Sequence, residues 1–167
     1  MSGAGLLVWA LYSARAVAGA SGSVEFVRME KVNFDHLPDT RGFRNKNPGN
    51  IEFKEYNQWK GQAGHDGRYA IFSDMSFGIR ALGKLLDTYR KKYGLVTVSG
   101  LIDRWAPDFE NNTGAYISSV SDYVGVGPNE VLEDWQSLKP RIVAAIIKHE
   151  NGFQPFDYDY LAWSLSL

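Results

Sequence analysis

Glu150 is the residue whose type and spacing best suit proton transfer. It closes the run from Leu138 to Gly152, in which Ile142, Val143, Ile146 and Ile147 recur at helical spacing. Glu150 follows Ile147 by three residues, Ile146 by four and Val143 by seven, so at about 100° per residue it falls on the apolar stripe. It also stands in the last turn, beside the negative end of the helix dipole. A carboxyl partly withdrawn from water in this way is the kind used as a general acid. The plain alternative is a carboxylate that fans out to solvent from a frayed helix end. The rival acid is Glu110, in the polar loop Asp108-Phe109-Glu110-Asn111-Asn112 after a helix stopped by Ala106-Pro107. Its own alternative is an exposed loop carboxylate.

Other chemistries are poorly supplied. The 167 residues contain no Cys, which excludes disulfides and thiolate metal sites. His36, His65 and His149 show no metal-ligand spacing, and no Gly-rich phosphate loop or Gly-x-Ser-x-Gly elbow occurs. No metal or cofactor is expected. The net charge of −1 offers no footprint for nucleic acid. Aromatic residues make up 14% of the chain, including five Trp and nine Tyr, which suits an aromatic core or a sugar-binding cleft equally.

The elements that position these residues read as mainly α, with a small irregular β region. Residues 3–20 (GAGLLVWALYSARAVAGA) carry one charge, Arg15, and are short for a spanning helix. Residues 1–22 therefore read as an apolar helical segment that associates with a membrane, is cleaved as a signal, or packs on a partner protein. Residues 23–40 read as a linker. Asn47-Pro48-Gly49-Asn50 is a strong turn signal, Ile51 to Phe53 a short strand, Gly64 to Gly67 a second turn and Arg68 to Phe72 a strand.

Ser73 or Asp74 caps a core helix that ends at Gly94, with Phe77, Ala81, Leu82, Leu85, Leu86, Tyr89 and Tyr93 on one face. Ser99 caps a short helix through Trp105. Thr113 caps a helix with Tyr116, Ile117, Val120 and Val124 in one stripe. A short helix around Val131 to Trp135 leads to the final helix, with Pro140 at its first position. The main domain is 41–153, and 154–167 is an aromatic tail that packs back on the domain or touches a partner.

The ordered series RGFRNKNPGNI (41–51), Trp59-Lys60-Gly61, DGRYAIF (66–72), Gly78-Ile79-Arg80-Ala81, Arg104-Trp105-Ala106-Pro107, Glu110-Asn111 and Tyr116-Ile117 resembles a group of bacteriophage structural and lytic proteins. The resemblance spans about residues 41–153. That group looks related to the lysozyme-like lytic transglycosylases and glucosaminidases, in which a helix ends in a catalytic Glu followed by Ser. His149-Glu150-Asn151-Gly152 is similar, with Asn where Ser is usual. In those enzymes the Asn-rich turn and the Trp-x-Gly follow the acid, whereas here they precede it by about a hundred residues. The resemblance thus implies a circularly permuted lysozyme-like domain, Glu150 being the acid and Glu110 second choice.

It further implies a phage particle component that cleaves peptidoglycan between N-acetylmuramic acid and N-acetylglucosamine. The N-terminal segment would then meet a membrane or other virion proteins. Asn47, Asn50 and Asn111 would bond the sugar hydroxyls. Trp59, Tyr69 and Tyr116 would offer stacking surfaces, ahead of Trp105, which lies in a more apolar run. Asp66 or Glu110 as a second carboxylate would favour hydrolysis, and a lone Glu favours the transglycosylase course. A non-catalytic virion or peptidoglycan-binding protein is the competing class.

Overall fold

The computed structural model describes residues 37–107 and 112–167. The expectations for the N-terminal segment and for Glu110 and Asn111 lie outside the described residues. The described part is mainly helical: α1 (Arg41–Arg44), β1 (Gln62–His65), β2 (Ala70–Phe72), α2 (Met75–Tyr93), α3 (Val98–Trp105), α4 (Thr113–Val124), α5 (Trp135–Asn151) and α6 (Tyr158–Ser166). β1 and β2 form an antiparallel pair with an irregularity between Gln62 and Gly64. The strand read at Ile51 to Phe53 is reduced to a single bridge from Glu52 to Tyr69.

Helix α5 is the central element, packed against α1, α2, α4 and α6. Ile142, Val143, Ile146 and Ile147 are all buried, as the 3.6-residue period demands. Its start differs from the expected one. Asp134 is the cap, accepting from Ser137 N at 3.3 Å, and Pro140 is inside the helix. A tertiary contact recruits the extra turn. Trp135 Nε1 donates to Asp87 Oδ1 at 2.7 Å, and Lys139 Nζ reaches the same carboxylate at 3.2 Å, fastening α5 to α2. That anchorage offsets the backbone bond that a proline inside a helix forgoes. The expected helix at Val131 to Trp135 does not form, since 131–134 is irregular. At its other end α5 stops at Gly152, whose φ of 70° is the left-handed conformation a helix terminator needs.

Three caps settle on neighbours of the expected residues or among them. Asp74 caps α2, Thr97 rather than Ser99 caps α3, and Asn112 rather than Thr113 caps α4. Thr113 instead donates its hydroxyl to the Ala106 carbonyl and ties the start of α4 to the end of α3. The tail is a helix of the same unit. Phe156, Tyr160 and Leu161 are buried, and α6 packs on α2. Among the described residues no helix is long and apolar enough to cross a membrane.

Candidate active site

The turn after α1 brings the first site residue into place. Thr40 caps α1, and the chain then reverses through Lys46 and Asn50, both left-handed at φ 51° and 50°. Asn adopts this conformation more readily than most residues. The turn is held from within by Asn47, which is 0% exposed. Its Nδ2 donates to the Ile51 and Ala70 carbonyls, each at 2.9 Å, and its Oδ1 accepts from Ile51 N at 2.9 Å. The turn is held from outside by Gly78 of α2, where any side chain would strike the Lys46 carbonyl and Pro48. Asn151 completes the clamp. Its Nδ2 donates to Pro48 O at 2.7 Å and to Ile147 O at 2.9 Å, and its Oδ1 accepts from Thr40 Oγ1 at 2.7 Å. The last residue of α5 thus grips the turn directly.

This clamp sets Asn50 against Glu150 across a hundred residues of sequence. Asn50 Nδ2 donates to Glu150 Oε2 at 3.0 Å. Trp105 Nε1, from the end of α3, donates to Oε1 at 3.3 Å, and Tyr116 OH, from α4, donates to Oε1 at 3.0 Å. Three separate elements therefore converge on one half-buried carboxyl group carried by a fourth. A carboxylate offers about four lone-pair positions. Two on Oε1 and one on Oε2 are taken by side chains, which leaves the open position on Oε2. Tyr116 stays a donor, because burial, reinforced by the Glu150 charge, pushes its phenol well above the ordinary value. The His149 ring stacks on Tyr116 at 3.5 Å and 9°. Burial lowers the pKa of this imidazole, against the opposing pull of Glu150.

Glu150 and Asn50 line a groove of about 840 Å³. That is within the range of about 300–1,000 Å³ typical of ligand clefts. Tyr56, Tyr69, Tyr89 and Trp105 add aromatic surface, and Glu52, Lys54, Arg68 and Arg104 add charge. Leu85 and Tyr89 come from α2, which periodicity alone presented as pure core. The Arg41 and Arg68 guanidiniums lie 5.2 and 5.1 Å from the Tyr69 ring centre.

Several expected ligand contacts are corrected here. Asn47 spends its amide on backbone, because the reversal leaves polar groups that the buried turn must satisfy. Trp59 is half-buried and absent from the groove lining. Tyr116 is 1% exposed, so it serves as a hydrogen-bond donor and not as a stacking platform. Trp105, ranked below it, reaches both the groove and the acid.

Asp66 is not a free second carboxylate. Its Oδ1 accepts from Tyr69 N at 2.8 Å and Arg68 N at 3.1 Å, and its Oδ2 accepts from Asn45 Nδ2 at 2.7 Å. The Tyr69 amide, then Asn45, lower its pKa from 3.8 to about 2. A depressed value means that the folded chain holds the proton less tightly than the unfolded chain does. Asp66 therefore stabilises the fold above pH 3.8, and that contribution is lost as the pH falls through about 2. Asp66→Asn is expected to lower the urea midpoint near neutral pH and to flatten its acid limb between about pH 4 and 2. Equal acid limbs in the two proteins would contradict this.

Glu52 is the carboxylate in the groove that spacing did not single out. It meets Lys54 Nζ at 2.9 Å and Arg68 Nε at 3.1 Å, and the bond from Lys54 is the largest influence lowering its pKa. Its signal in the sequence is faint, since an alternating acid and base is common on any exposed strand. Among the described residues no cluster of His, Asp and Glu could hold a metal ion.

No protein-family profile matches the chain. It is 40% identical over 123 residues to Protein P5 of Pseudoalteromonas phage PM2, an alignment covering 71% of this chain and 76% of that protein. The chain belongs to the family of this phage protein. The P5 family thus supplies a bacteriophage setting, and the site described above supplies the chemistry.

Proposed function

We propose that this P5-family chain is a virion-associated peptidoglycan lytic enzyme that cleaves the glycan between N-acetylmuramic acid and N-acetylglucosamine. The observation that carries this reading is the Glu150 carboxyl, held by Asn50, Trp105 and Tyr116 beside a groove of about 840 Å³. Three fixed donors leave one position, on Oε2, to carry a proton towards a leaving oxygen. The meeting of the Asn50 turn with the end of α5 also supports a permuted lysozyme-like arrangement.

Among the described residues, the other carboxylates favour the transglycosylase course. A hydrolase of the usual kind needs a second free carboxylate at about 5–9.5 Å. Glu52 has each oxygen engaged by a cation, and Asp66 is consumed by its turn. The substrate's own N-acetyl group then stabilises the cation-like centre. Glu150 gives its proton to the leaving oxygen and takes one back from the 6-hydroxyl of the muramic acid, which closes a 1,6-anhydro ring. The glycosidic bond breaks, the new C–O bond forms within the same sugar, and no water is consumed.

Digestion of purified sacculi by the full chain, followed by mass analysis of the released muropeptides, tests this. Anhydro ends are expected. Reducing ends alone would defeat the transglycosylase course, and no release at all would leave a non-catalytic wall-binding virion protein.

A further inference from the structure

The groove wall carries Lys54, Arg68 and Arg104. Glu52 engages Lys54 at 2.9 Å and Arg68 at 3.1 Å. Arg104 differs from both. No carboxylate lies within ion-pair distance of it among the described residues. Aromatic rings hold it instead, its guanidinium carbon lying 3.6 Å from the Tyr93 ring centre and 5.2 Å from that of Tyr89. A guanidinium stacked on a ring has its position fixed while its rim of N–H donors stays available. That rim matches the two oxygens of a carboxylate in a paired, charge-assisted bond. Arg104 also precedes Trp105, whose indole N–H reaches Glu150, so the cation and the acid are tied to one wall of the groove.

We propose that Arg104 is a specificity-determining residue that binds a carboxylate of the glycan substrate. This rests on the peptidoglycan reading above. The lactyl ether of N-acetylmuramic acid ends in a carboxyl group, free in a stripped glycan and joined to a peptide bearing further carboxylates in the intact wall. A glycan of N-acetylglucosamine alone carries none. Arg104 therefore separates wall glycan from neutral glycan of the same backbone, and it does so by binding rather than by proton transfer.

The test is calorimetric titration of the full chain at low salt, in a Glu150→Gln background so that bound glycan stays intact. Three tetrasaccharides serve as probes: neutral chitotetraose, a stripped muramic acid glycan, and the same glycan carrying an alanyl-glutamate stem. At least one charged probe is expected to bind about tenfold tighter than the neutral one, on the scale of one hydrogen bond to a charged group. Arg104→Gln is expected to erase that preference, and Arg104→Lys to restore part of it. Preference for the stripped glycan assigns the lactyl carboxylate, and preference for the stem-bearing glycan alone assigns the peptide. Equal binding of all three probes, no binding of any, or equal weakening of all three by Arg104→Gln would overturn the inference. If the wild type leaves sacculi uncut while the charge preference still follows Arg104, the enzymatic reading fails and the carboxylate subsite stands.

Discussion

Replacing Glu150 by Gln is expected to end muropeptide release from sacculi, with the rate falling about 10³-fold or more. General acid–base catalysis by one positioned group contributes about 10²–10⁴-fold, and among the described residues no second carboxylate shares the three donors that hold Glu150. The fold should survive. A Gln carbonyl oxygen still accepts from Trp105 and Tyr116. Its amide nitrogen would face the Asn50 amide nitrogen, but the Asn50 oxygen is buried with no partner. Turning the Asn50 side chain over presents that oxygen to the new N–H. The thermal midpoint should therefore stay within a few degrees of wild type while the lysis is lost. A lytic Glu150→Gln protein would remove this residue from the mechanism, and a variant that loses both fold and lysis would show that the three donors hold a charge the domain requires.

The largest effect on stability is expected at Asn47. Asn47→Ala withdraws the acceptor of Ile51 N–H and one donor from each of the Ile51 and Ala70 carbonyls, all in a fully buried turn. Ile51 O keeps its bond from Ala70 N at 3.0 Å, so the cost is less than three complete orphans. At about 1–3 kcal/mol for a buried group left unsatisfied, the sum is about 2–4 kcal/mol. That is a large share of the 5–15 kcal/mol, roughly, that holds a domain folded. Urea unfolding reads it directly. Had Asn47 been a sugar contact, the Ala variant would fold like wild type and bind glycan more weakly. The two roles thus predict opposite patterns of midpoint and affinity. Because the turn also presents Asn50, activity should fall with stability and recover when the fold is restored by lower temperature.

The contrast between Asn47 and Glu150 explains what could be read from residues alone. Periodicity located Glu150 on the inner face of α5 because the stripe of Ile and Val defines that face whatever it packs against. Capping residues delimited α2, with Ser73 or Asp74 read at its start and Gly94 at its end, and Asp74 is the one that caps it. Periodicity could not say which of the three Asn residues in 41–51 would spend their amides on the chain itself, because that depends on which backbone groups a distant strand leaves unpaired. Trp105 was undervalued for a similar reason. Its apolar neighbours suggested burial, and burial is what carries its one polar atom to the acid. The helix start at Trp135 was missed because Asp87, on another helix, supplies the partner that draws the first turn in. Arg104 was legible only as one more cation until Tyr89 and Tyr93 were placed beneath it.

Glu150 meets Tyr116, Trp105 and Asn50 across 34, 45 and 100 residues. Chains emerge from the ribosome N-terminal part first, and contacts this distant in sequence form only after much of the chain has been released. The turn, the indole and the phenol are all synthesised before the acid they will surround. Because Asn151 of α5 also grips the turn that presents Asn50, the three donors and the carboxyl come together only once that helix has been made.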